Sequence, residues 1–143
     1  MIRTLATGLA LAALMGGTAF AETFEVKMLN KGANGERMVF EPDFVQAAPG
    51  DTIRFIAADK GHNAETAKDM IPEGAMGFKG KINEEIEVTL DAEGVYAVLC
   101  KPHYAMGMVM TIAVGDVDAP DSFLECRVPK KAKARFEEQL SNM

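Results

Sequence analysis

The sequence predicts an all-β sandwich followed by two C-terminal α-helices, on three observations. Apolar and polar residues alternate with a period of two in several short stretches, turn residues punctuate those stretches, and a helical period emerges only after Gly115. Phe24, Val26 and Met28 alternate with Glu25 and Lys27; Ile53, Phe55 and Ala57 with Thr52 and Arg54; Ile86, Val88 and Leu90 with Glu85, Glu87 and Thr89. Each set is a half-buried strand. Apolar runs at 44–48, 94–100 and 108–114 add three more strands, and Asn34-Gly35, Pro49-Gly50-Asp51, Asp59-Lys60-Gly61 and Glu93-Gly94 supply the turns. With no helix between them, the strands are expected to pair antiparallel in a sandwich.

After Gly115, Asp118 can cap a short helix over 120–127, and Pro129 suits the first turn of a second. Val128, Ala132, Phe136 and Leu140 recur every four residues and give that second helix one narrow apolar stripe. Its charges oppose the helix dipole: Lys130, Lys131 and Lys133 sit at the start, Glu137 and Glu138 near the end. Propensity alone does not hold such a helix, so the stripe is expected to lie on the sandwich.

The amino terminus is of a different kind. Arg3 precedes an apolar run over 5–14 broken only by Thr7 and Gly8, and Ala19-Phe20-Ala21 closes it, the pattern of a secretory signal peptide. Gly16, Gly17 and Thr18 cut the run short of the roughly 20 apolar residues a spanning helix needs. Cleavage after Ala21 is expected to release residues 22–143 as one exported domain with no membrane anchor. Of the 143 residues, 48 % are hydrophobic and 25 % charged, an ordinary globular composition. With 15 basic against 21 acidic residues the net charge is −6, which argues against nucleic-acid binding.

The chemistry concentrates in Cys100-Lys101-Pro102-His103-Tyr104-Ala105-Met106-Gly107-Met108, together with Gly61-His62-Asn63. Taken singly, a strand cysteine is a small hydrophobe, a histidine is structural and a methionine is core filler. Their combination reads differently. Cys100 shares a strand face with Tyr96 and Val98, so its sulfur is expected to point inward. Pro102 favours a tight reversal that returns His103 towards Cys100. Met108, Met110, Ile112 and Val114 share the next strand's face, which puts the Met108 thioether at the same interior end. His62 supplies a second imidazole. One thiolate, two imidazoles and a weak thioether are the donors of a blue-copper site; zinc takes the same cysteine and histidines but rarely a methionine.

Asp59-Lys60-Gly61-His62-Asn63 and Pro102-His103-Tyr104-Ala105-Met106-Gly107-Met108, with Met28-Leu29-Asn30-Lys31-Gly32, Met38-Val39-Phe40-Glu41-Pro42 and Asp69-Met70-Ile71-Pro72-Glu73-Gly74, closely resemble the pseudoazurins, small cupredoxins of bacterial periplasms. Leu99 and Lys101 beside Cys100 depart from that pattern, where a lysine and a small polar residue are common. The resemblance implies a cupredoxin-like Greek-key β-sandwich holding one copper ion, Cu(II)/Cu(I), on His62, Cys100, His103 and Met108. It implies that Asn63 braces the loops around the cysteine sulfur and that Met38 packs against the exposed imidazole. Pro102, Ala105, Met106 and Gly107 form an apolar collar around the edge of His103, the candidate electron port. The family further implies a periplasmic monomer that donates electrons in denitrification, chiefly to copper nitrite reductase, through a lysine ring for which Lys31, Lys60, Lys79 and Lys101 are the candidates.

Three other readings compete. A Cys100–Cys126 disulfide would suit an exported chain with only two cysteines; the ligand role for Cys100 disfavours it and leaves Cys126 as an extra thiol in the first C-terminal helix. An enzyme lacks raw material, because the chain has 2 histidines and both are assigned to one metal. A copper carrier would suit the 10 methionines, but Met28 and Met110 fall on core strand positions, so no exposed methionine cluster remains. The expectation is an electron carrier with no catalytic residue.

Overall fold

The computed structural model describes residues 20–143, so the expected signal peptide lies almost wholly outside the described residues. Eight strands form two four-stranded sheets: β1 (Thr23–Lys31), β2 (Arg37–Glu41), β3 (Phe44–Ala47), β4 (Asp51–Ile56), β5 (Glu65–Thr66), β6 (Ile86–Leu90), β7 (Gly94–Leu99) and β8 (Val109–Val114). One sheet runs β2-β1-β4-β6 and the other β3-β8-β7-β5. The expected sandwich is present, with β2 and β5 added to the six strands that alternation and apolar runs predict.

Strand direction departs from expectation. β1 pairs with β4, and β3 with β8, in parallel. Alternation reports which face a residue takes and carries no information about pairing direction. The physical cause is the crossover: the chain leaves β1 and β2, passes through β3 in the opposite sheet, and returns as β4 alongside β1.

The alternating side chains meet between the sheets, where Val26, Met28, Phe40, Ile53, Phe55, Tyr96, Val98, Cys100, Met108, Met110 and Ile112 form one buried cluster. Phe55 stacks between Phe40 and Phe78 at ring centroid distances of 6.1 and 5.7 Å. The Tyr96 hydroxyl donates to the carbonyl of Ala92 at 2.7 Å, which gives the buried ring's polar end its partner.

β7 and β8 are covered on their outer face as well. A second cluster of Ala67, Val95, Ala97, Leu99, Val109, Phe123, Ala132 and Phe136 lies there, roofed by helix α1 (Lys130–Leu140). This explains why β8 is buried at every position and reads as a continuous apolar run. The stripe of α1 faces the sheet as expected, but Gln139 joins it. Its side chain is buried; it accepts from Thr111 Oγ1 at 2.9 Å and donates to the Val109 carbonyl at 2.9 Å. Helix and strand are thus tied by hydrogen bonds inside an apolar contact.

The first expected C-terminal helix is a single 3-10 turn over Asp121–Leu124, entered from Pro120 and not capped by Asp118. The segment is too short to offset helix nucleation, and Pro129 disfavours helical geometry at Val128. Phe123 anchors it by meeting Phe136 edge to face, centroids 6.1 Å apart. Cys126 follows the turn in irregular chain instead of lying in a helix, and both cysteines are free.

Asp51 ties the start of β4 to its neighbours. One carboxylate oxygen accepts the Ala48 amide at 2.7 Å and the other the Glu22 amide at 2.8 Å, and these bonds hold its pKa below the ordinary 3.8. A carboxylate whose pKa is lower in the folded than in the unfolded chain stabilises fully above the unfolded value, and the contribution drains away as pH falls through the folded one. Thermal stability is therefore expected to decline below about pH 4, and Asp51→Asn to be less stable at neutral pH with a flatter acid limb. Melting curves across that range measure both.

Candidate metal centre

Four chain segments converge at one end of the sandwich. β7 ends in Leu99, so Cys100 follows directly with its side chain on the Tyr96 and Val98 face, inside the inter-sheet core. The predicted reversal is a 3-10 segment over Lys101–Met106 with Pro102 in its first turn. His103 breaks its regularity (φ −119°, ψ 18°), which turns the ring back towards Cys100. The loop is closed by backbone bonds: the Cys100 amide donates to the Met108 carbonyl at 3.0 Å, and the Met108 amide to the His103 carbonyl at 3.1 Å. Met108 is 0 % exposed and lies in the same core cluster as Cys100, one residue before β8.

His62 enters from the loop between β4 and β5 and is itself 0 % exposed. Its Nδ1 lies 3.1 Å from His103 Nδ1 and 3.7 Å from Cys100 Sγ, and His103 Nδ1 lies 3.5 Å from the same sulfur. Among the described residues, these three form a grouping of histidine, cysteine and carboxylate side chains able to hold a metal. A point equidistant from the three donors lies about 2 Å from each, the length of a metal–imidazole bond.

The electrostatics of the triangle ask for a cation. His62 Nε2 donates to Asn30 Oδ1 at 2.7 Å, which fixes the tautomer and leaves the Nδ1 lone pair aimed inward. That lone pair faces the other imidazole nitrogen and the sulfur. Burial, and next the neighbouring His103, push the His62 pKa down, so the ring resists protonation. Burial pushes the Cys100 thiol up, while the backbone amides of Asn63 and His103 pull it the other way. Amides pointing at a sulfur stabilise a thiolate once a metal displaces its proton. Two imidazoles and a thiolate fit copper, and a thioether at Met108 suits it over zinc.

Asn63 is nearly fully buried between loops. Its Nδ2 donates to Glu65 Oε1 and to the Gly80 carbonyl, both at 3.1 Å, and its Oδ1 accepts the Lys101 amide at 2.7 Å. The His62 loop, the Gly80 loop and the residue after Cys100 are thereby joined. Met38 is half-buried in β2, between the Leu29–Val39 and Lys31–Arg37 pairs, and packs on the inter-sheet core. Pro102, Ala105 and Met106 are exposed beside half-buried His103, Met106 at 43 %, whereas Gly107 of the expected collar is buried against Arg135 and is not part of that surface. Lys31, Lys60, Lys79 and Lys101 are all exposed. Lys79 and Lys101 line one groove with Asn63, Glu65, Gly80, Lys81 and Ile82.

Sequence reasoning missed Asn30 and Lys81. Asn30 was detectable, because it continues the Phe24, Val26, Met28 phase along β1, although as a residue it lies exposed near the strand's end. Lys81 carried no signal, since only the fold places it beside Lys101.

Residues 26–115 match the family described as copper binding proteins, plastocyanin/azurin family. The chain is 45 % identical to the pseudoazurin of Paracoccus pantotrophus over 98 % of its own length and 97 % of that relative's. Its fold is similar to the crystal structure of pseudoazurin from Methylobacterium extorquens AM1, with a TM-score of 0.78 and 42 % identity, covering 84 % of this chain and 98 % of that one. It is also similar to the pseudoazurin of Hyphomicrobium denitrificans, with a TM-score of 0.77 and 35 % identity, covering 85 % and 98 %.

Proposed function

This chain belongs to the pseudoazurins, within the copper-binding plastocyanin/azurin family, and on that premise we propose that it is a periplasmic, monomeric electron donor to copper nitrite reductase in denitrification. It is a copper electron-transfer protein and not an enzyme. The observation that carries the reading is the buried His62–Cys100–His103 triangle opening to solvent only at His103.

In this reading His62, Cys100, His103 and Met108 hold the metal, which supplies one-electron exchange between Cu(II) and Cu(I). The residues do the rest. Asn30 and Asn63 hold the donors in place through hydrogen bonds that do not depend on the metal. A pocket already shaped by the protein has little to rearrange when charge changes. Pro102, Ala105 and Met106 keep water off the His103 edge and offer an apolar landing surface. Lys31, Lys60, Lys79 and Lys101, the docking lysines the family resemblance offers, with Lys81 beside Lys101 in one groove, would supply positive charge to this end of a chain that is acidic overall. An acidic partner surface would be steered to that end and away from the rest.

The export reading is supported by the apolar leader pattern and by where pairing begins. The Glu22 amide already binds Asp51, and cleavage after Ala21 would turn it into an ammonium against the same carboxylate.

Stopped-flow reduction of copper nitrite reductase by the reduced protein tests the partner. Second-order transfer is expected, falling steeply as ionic strength rises, with Lys101→Ala lowering the association rate several-fold and Lys133→Ala leaving it unchanged. A salt-independent rate would remove the lysine ring from the account.

A further inference from the structure

The C-terminal helix reaches the metal end through one side chain. Arg135 Nη1 donates to the Met38 carbonyl at 2.6 Å and to the Gly107 carbonyl at 2.8 Å, and Nη2 donates to the Arg37 carbonyl at 2.9 Å. One planar guanidinium thus fastens β2 and the His103–Met108 loop to α1, using a fork of donors that lysine cannot reproduce. Both of the carbonyls that share Nη1 belong to residues in left-handed backbone. Met38 has φ 55°, uncommon for a residue with a side chain, and Gly107 has φ 90°. Gly107 also packs closely: a Cβ there would stand 3.2 Å from Arg135 Nε and 3.3 Å from its Cδ. Gly107 precedes Met108, and Met38 sits across the hairpin from Asn30, which orients His62. Strained backbone persists where its surroundings over-determine it, and here the same cation holds one such position, Met38, together with the left-handed turn at Gly107 that a glycine adopts freely.

We propose that Arg135 is a positioning residue for the copper site, fixing the backbone that presents Met108 on one side and Met38 on the other. The proposal rests on the ligand reading above. The guanidinium touches no donor atom; it acts through the two peptide segments it clamps.

The test uses copper-loaded protein with Arg135→Met, Arg135→Lys and, as a helix-surface control, Lys133→Met. Each is measured for its thiolate-to-copper visible bands, its paramagnetic-resonance spectrum, its rate of copper release to a chelator, and its thermal melt. Arg135→Met and Arg135→Lys are both expected to alter the relative band intensities and to speed copper release several-fold, while Lys133→Met matches the parent. Lys matching Met would separate geometry from charge, since lysine keeps the charge and loses the fork. Parent-like spectra and release within two-fold in both Arg135 variants would overturn the proposal, even with lowered melts. So would recovery of parent behaviour by Arg135→Lys, which would reduce the effect to charge, or failure of both variants to fold, which would make Arg135 a stability residue only. If the parent protein itself lacked the thiolate band, the ligand reading would fail first and this proposal with it.

Discussion

Replacing Cys100 with serine is expected to abolish the intense visible absorption of the copper protein while leaving the sandwich folded. The colour of such a site comes from charge transfer between thiolate sulfur and Cu(II), and serine removes the sulfur without removing much volume. Cys100 is 0 % exposed, so the new hydroxyl is buried, but the Asn63 and His103 amides that point at the sulfur can donate to it. Losing the outer partner of a metal ligand costs about 10–100-fold in affinity. Losing the thiolate itself is expected to cost more, because only neutral donors, two imidazoles and a weak thioether, then hold the ion. Absorption spectra during copper titration of both proteins measure colour and affinity together. A variant that kept the band would place the thiolate elsewhere.

Phe136→Ala is expected to cost about 3–5 kcal/mol of stability, a large share of the roughly 5–15 kcal/mol that holds a domain together. Phe136 is 0 % exposed, meets Phe123 edge to face, and lies over Val109, Leu99 and Ala97 in the outer cluster. α1 has no side-chain cap, no acidic residue in its first turn and no basic residue in its last, so it is held helical by docking, through this contact and the Gln139 and Arg135 hydrogen bonds. Denaturant melts of the metal-free protein isolate the effect from stabilisation by bound metal. Lys133→Ala, on the exposed face of the same helix, is expected to change stability by less than about 0.5 kcal/mol. A Phe136→Ala loss no larger than that of the surface variant would mean that the helix is not docked as described.

What could be read from the residues follows from which interactions are periodic. β1, β4 and β6 were visible because one face of each is buried, and alternation records that directly. β2 was not, because Met38, Val39 and Phe40 are consecutive apolar residues and Met38 takes a left-handed conformation that interrupts the pattern. β5 has only two residues and exists because β7 offers it an edge. The His62, Cys100 and His103 convergence was legible from residue type and spacing, since the proline-led reversal is local. The supports around it were only partly so. Asn30 lies in phase with the buried side of β1, but Arg135 and Gln139 look like two more polar residues on a charged helix. Their partners lie up to 98 residues away, and only the docking of α1 brings them together.

Electron transfer by this chain depends on where copper binds. Diffraction from crystals of residues 22–143 loaded with copper, recorded on both sides of the copper absorption edge, locates the ion directly. The expected result is one anomalous peak bonded to Nδ1 of His62, Nδ1 of His103 and Sγ of Cys100, with the Met108 thioether approaching from the core. A peak at any other place, or one that leaves the Cys100 sulfur unbonded, would contradict it.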